Sequence, residues 1–215
     1  MPIKLTVVKP ARRLTWTGWL LAILIFVILS WGWAVTAYDF LAVNKPVKAD
    51  IWVIEEYVPD FVLDNVAEAC KTNPSLLIVC VGWSISEREM CTAYNNYADF
   101  NAAYIRASGV DSLQVISAPA GIPVGERTYT MALAAKKKLK TLGYKSGELN
   151  VVSHETKARS TLLLYRKAFK PDWKVGVMIY PDSEYTRQWW KNSEGARAVV
   201  SEMLAYLYCA VFFHP

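Results

Sequence analysis

Leu76-Leu77-Ile78-Val79-Cys80-Val81 is an unbroken apolar run that ends at Gly82. A strand with both faces apolar is the habit of a parallel sheet covered by helices on each side. Working outward from it, Ile51-Trp52-Val53-Ile54 is an earlier strand, with a helix from about Asp60 to Lys71 between the two. Downstream, a helical region from about Glu87 to Ser108 stops at Gly109, and Leu113-Gln114-Val115-Ile116 is the third strand. A helix from Glu126 to Leu142 closes at Gly143, and Leu149-Asn150-Val151-Val152 is the fourth strand. Glu155 to Phe169 is helical and stops before Pro171; Val175 to Ile179 is the fifth strand, and Ser193 to Phe213 the last helix. Strands separated by helices of this length pair in parallel through crossovers. The expected fold is therefore α/β, a three-layer, Rossmann-like, mainly parallel five-stranded sheet.

Ahead of it, residues 14–38 carry no charged side chain. A helix of that length spans roughly 37 Å, and the bilayer hydrocarbon core is about 30 Å thick. Trp16 and Trp19 sit near one end, and Trp31, Trp33 and Tyr38 near the other, as an interfacial aromatic belt would be placed. Lys4, Lys9, Arg12 and Arg13 precede the run, whereas Asp39, Lys45, Lys48 and Asp50 nearly cancel after it. The positive-inside rule puts 1–13 in the cytoplasm, 14–38 across the membrane, a tether at 39–48, and an α/β domain at 49–215 outside the cytoplasm. A cleaved signal peptide is the rival reading. It would carry a shorter apolar region of about 7–15 residues, although Ala34-Val35-Thr36-Ala37 loosely resembles a cleavage site. The apolar final helix from Ala198 to Phe213 contains Glu202 and is short for a second span, so it is expected to pack on the core.

The net charge of +5 reflects this topology. Setting aside the four leading cations leaves 20 Lys and Arg against 19 Asp and Glu, which gives no support to nucleic-acid binding. Of the four cysteines, Cys70, Cys80, Cys91 and Cys209, Cys80 lies in the apolar run and is expected as a buried free thiol. Neither the cysteines nor the two histidines, His154 and His214, have zinc-ligand spacing, and no nucleotide or cofactor fingerprint is present. Oligomeric state is not legible.

In parallel α/β sheets the ligand site lies outside the carboxyl ends of the strands. That rule selects Glu55, Glu56, Gly82, Trp83, Ser84, Ser117, Ser153 and His154. Glu55 and Glu56 are a carboxylate pair able to divide acid and base roles or hold a divalent cation. His154 suits general acid/base work near neutral pH. Arg127 and Thr128 open a helix at the same edge, where capping by Thr128 competes with ligand contact.

Val151 to Ser160 (VVSHETKARS) resembles the YdcF/ElyC/SanA family of bacterial envelope-associated domains, in which a strand ending in Thr or Ser leads to His-x-x-Arg at a helix start. Ser153 and Arg159 fall in register with that pattern; Thr156 takes the place of the family His, with His154 two positions earlier. Thr128-Tyr129 before Ala132 is similar to the family's Asn-Thr-x-x-Asn-Ala, and Ile105 to Val110 to its Leu-x-x-x-Gly-Val. The family's glycine-rich turns stand here as Glu55-Glu56 and Gly82-Trp83, and Asp99 is the nearest counterpart of its helical acid. The resemblance implies a single-pass protein of the bacterial inner membrane handling an anionic, phosphorylated lipid-linked or cell-wall precursor. His154, Glu55 and Glu56 would be catalytic, and Arg159, Ser153, Thr128, Gly82 and Ser84 ligand-binding. A non-catalytic binding or scaffolding module on the same fold is the alternative, because close approach to phosphate needs glycine turns.

Overall fold

The computed structural model describes residues 15–56, 58–85, 93–121, 125–181 and 187–215. The chain divides into a segment ending at Thr36 and a compact unit from Ala37 to Pro215. α1 (Trp16–Leu41) is 26 residues, long and apolar enough to cross a membrane, and most of its large side chains are exposed.

The compact unit alternates β1 (Ile51–Ile54), α2 (Asp60–Thr72), β2 (Leu77–Gly82), α3 (Tyr97–Ala107), β3 (Val115–Pro119), α4 (Arg127–Thr141), β4 (Gly147–Val152), α5 (Ala158–Phe169), β5 (Trp173–Met178) and α6 (Ser193–Val211). The five strands form one sheet in the order β3-β2-β1-β4-β5, every pair parallel. Successive residues of a strand point to opposite faces, and the core divides accordingly. Val53, Val79, Val81, Val151 and Val177 meet α4 and α5, whereas Ile54, Ile78, Cys80 and Val152 meet α2 and α3. The result is three layers.

Local chemistry sets the boundaries. Asn96 caps α3 by accepting from the Asp99 amide at 2.8 Å, so the helix starts at Tyr97; the expected stretch 87–92 lies outside the described residues. Gly109 and Gly143, at φ +89° and +93°, take the left-handed conformation just beyond the ends of α3 and α4. The third strand starts two residues later than expected. The Asp111 carboxylate accepts from the Leu113 amide at 2.9 Å and winds Ser112–Gln114 into a 3₁₀ turn, leaving Leu113 82% exposed.

The tether is shorter and less free than the sequence suggests. α1 runs on to Leu41, and Lys45 pairs with Val177 of β5 in an antiparallel bridge. The buried Asn150 carboxamide of β4 accepts from the Val47 amide at 2.7 Å and donates to its carbonyl at 2.8 Å. It reaches there across Gly176, its partner in register on β5. A Cβ on Gly176 would meet Asn150 Oδ1 and come within 2.6 Å of Val47 N.

Candidate functional site

β2 and β3 follow β1 outward on one side of the sheet and β4 and β5 lie on the other, so the topological switch falls between β1 and β4. Glu55 and Glu56 leave the end of β1, and Ser153 and His154 the end of β4. Both glutamates turn inward, 1% and 7% exposed. Glu55 Oε2 accepts from Ser153 Oγ at 2.6 Å and from Thr161 Oγ1 at 3.0 Å, while Lys157 Nζ stands 3.7 Å from Oε1. Each hydroxyl has one proton to give. With both given to Glu55, neither remains for a ligand.

Glu56 faces the neighbouring side. Its Oε2 accepts from the Trp83 amide at 3.3 Å, and its Oε1 lies 3.5 Å from the Arg127 guanidinium. Arg127 in turn rests over the Trp83 ring, 5.4 Å from its centroid, with its side chain 66% exposed. Asn101 of α3 ties the turn down by donating to the carbonyls of Glu55 and Glu56 at 3.2 and 3.3 Å.

Glu56, Glu126, Arg127, Thr128, Lys157, Ser160 and Glu202 share a cavity of about 200 Å³ where α4, α5 and α6 meet. Glu202 enters from α6, and Ser160 Oγ reaches its Oε2 at 3.5 Å. Burial, above all, pushes both Glu56 and Glu202 up from the ordinary carboxylate range, against the opposing pull of Lys157 on each. Tyr165 is fully buried, and its hydroxyl has no hydrogen-bond partner among the described residues. Burial and the Glu55 and Glu56 charges push that phenol well up. The cavity pairs two cations with three carboxylates, two of them hard to ionise.

Thr128 is buried in the first turn of α4 and lines the cavity. His154 is half-buried beside Ser153. Gly82 serves close packing: a Cβ there would come within 2.7 Å of Tyr97 Cβ and 2.9 Å of Ala98 N at the start of α3. Ser84 is exposed and bridges to Asn96. Ser117 donates to Asp99 Oδ1 at 2.5 Å, away from Glu55 and Glu56. Arg159 does not join the cavity. Its Nε donates to the Phe40 carbonyl, and its guanidinium lies 3.8 Å from the Phe40 ring centroid and 5.9 Å from that of Tyr206. Glu155, in the turn that leads into α5, accepts from the Tyr38 hydroxyl.

Lys157, Thr161 and Glu202 complete the site without having been selected from the sequence. For the first two a signal existed: Lys157 and Thr161 are four apart, which puts them on one face of α5. Among the described residues, no group of three or more His, Cys, Asp and Glu is arranged to hold a metal ion. Cys70, Cys80 and Cys209 are buried free thiols; Cys91 lies outside the described residues. In comparisons with protein-family models, curated proteins and solved structures, nothing matches this chain.

Proposed function

We propose that this is a single-pass protein of the bacterial inner membrane whose extracytoplasmic domain binds, without turning over, an anionic lipid-linked or cell-wall precursor. The observation that carries the reading is the seat of Glu55. At the switch point, where an α/β sheet would hold a ligand's acidic group, the chain places its own carboxylate and spends Ser153, Thr161 and Lys157 on it. The groups best placed to grip or activate a phosphate are thereby engaged internally. Arg127 supports the binding half of the reading. It sits at the cavity mouth, two-thirds exposed on the Trp83 face, and guanidinium carries five donors, more than its long ion pair to Glu56 uses. The membrane address rests on α1, on the four cations before it, and on the resemblance to envelope-associated domains.

A catalytic reading is favoured by a different observation. Glu56 and Glu202, both raised by burial and lining one cavity with Lys157, have the character of general acids and bases. The full chain in lipid nanodiscs, titrated with polyprenyl phosphate and with a diphosphate-linked cell-wall precursor, separates the two. Saturable binding with unchanged ligand by mass spectrometry supports the binding module. Product formation supports catalysis, and failure to bind either ligand removes both.

A further inference from the structure

The second half of α6 exposes an apolar stripe. Val200, Leu204, Leu207 and Val211 recur at the spacing of one helical face and remain 43%, 63%, 48% and 58% exposed. Tyr208 and Phe212 widen the stripe at its C-terminal end. The opposite side of the helix is the one that packs, with Val199 and Cys209 buried and Glu202 turned into the cavity. Glu202 is also the only charged residue from Ala198 to Phe213. α6 is thus apolar on both faces and covered on one. Single exposed apolar residues are ordinary on a protein surface; a contiguous run of them marks a surface that meets something.

Where the stripe sits in the chain identifies what it meets. The Tyr206 ring abuts Phe40 edge-on, centroids 5.3 Å apart. Phe40 lies four residues beyond Thr36 in the same helix, about 6 Å along its axis. Tyr206 therefore packs against the last turn of α1. Arg159 lies across both rings, so an arginine and two aromatics gather where the packed side of α6 meets the end of α1, the composition found where hydrocarbon gives way to lipid headgroups.

We propose that the exposed face of α6 is seated in the interfacial layer of the bilayer that holds α1, with Arg159 at the level of the lipid phosphates. The absence of charge along the stripe fits a hydrocarbon boundary, as in helices that lie in the membrane plane. The inference rests on α1 being embedded, and the test separates the two. Nitroxide labels are placed at Leu204→Cys and Val211→Cys in the full chain. Ile25→Cys in α1 serves as the bilayer reference and Lys174→Cys on β5 as the aqueous one, with the unsubstituted chain as labelling blank. Circular dichroism checks that each variant keeps its fold.

In phosphatidylcholine–phosphatidylglycerol vesicles, collision with oxygen is expected to exceed collision with a water-soluble nickel chelate at 204 and 211, as at 25, and to fall below it at 174. Nickel-dominated collisions at 204 and 211, with 25 still oxygen-dominated, overturn the seating of α6 alone. Protection of 204 and 211 from both reagents, the signature of a protein partner such as a second copy, also overturns it. Nickel access at 25 overturns the anchor and the inference together.

Discussion

Ser153 Oγ, at the end of β4, donates to the Glu55 carboxylate at the end of β1 across 2.6 Å, so the topological switch point of the sheet is closed by the chain itself. Thr161 gives the same oxygen a second hydrogen bond at 3.0 Å, and Lys157 faces the other oxygen from 3.7 Å. The carboxylate is 1% exposed, so its stability depends on these partners rather than on water.

Removing the cation tests that dependence. Lys157→Met leaves Glu55 as a buried charge without its counter-ion, a loss of about 3 kcal/mol in unfolding free energy by denaturant titration. Glu55→Gln in the same background is expected to recover part of that loss, since the stranded charge is then gone. Additive effects of the two substitutions would show that the pair is not coupled.

Glu202 sets a pH dependence of definite sign. Burial raises its pKa from the ordinary 4.5, so the folded chain holds this proton more tightly than the unfolded chain does. The site's contribution to stability is greatest when it is protonated and declines as pH rises from 4.5 through the raised value. Glu202→Gln is expected to flatten that decline and to raise Tm relative to the parent at neutral pH. Parallel Tm–pH curves for the two proteins would contradict it.

Arg127 is the cation available to an anionic ligand. Arg127→Ala should weaken polyprenyl phosphate about tenfold or more, from the roughly 1.5–3 kcal/mol of a charge-assisted bond. Arg127→Lys should restore only part, because an ammonium lacks the planar fork. Isothermal titration in nanodiscs reads both, and an unchanged Kd for Arg127→Ala takes the residue out of the site.

Gly176 is expected to tolerate no side chain. In Gly176→Ala the new Cβ collides with the Asn150 carboxamide and the Val47 amide it holds, and overpacking of this kind costs about 1–3 kcal/mol. Asn150→Ala in the same background should remove part of the clash but none of the tether's lost hydrogen bonds. Thermal unfolding of the two variants measures the difference.

Topology is checked with reporters fused after Pro215. An exported reporter is expected to be active there and a cytoplasmic one silent; the reverse pattern would overturn the outward orientation of the domain.

Periodicity and strand-end position were legible in the residues themselves. Apolar runs located all five strands, four of them to within two residues and the third to within three, because burial on both faces of a parallel sheet demands such runs. The strand-end rule put Glu55, Glu56 and Ser153 at one edge, because side chains just beyond β1 and β4 have no other place to go. Leu113 falls outside the third strand because a short polar cap, Asp111, outcompetes the extended conformation locally.

The partners of those site residues were decided only by the tertiary structure. Thr161 meets Glu55 from 106 positions away, and Glu202 reaches the cavity only because α6 packs against α5. Lys157 and Arg159 show the limit most clearly. They are two residues apart, yet successive residues turn by about 100° around a helix, so the two diverge by roughly 200°. Lys157 goes to the buried carboxylate of Glu55, while Arg159 goes to Phe40 and Tyr206. Sequence singled out Arg159 and passed over Lys157; which side of α5 faces the crevice was settled by the packing of its apolar face on the sheet.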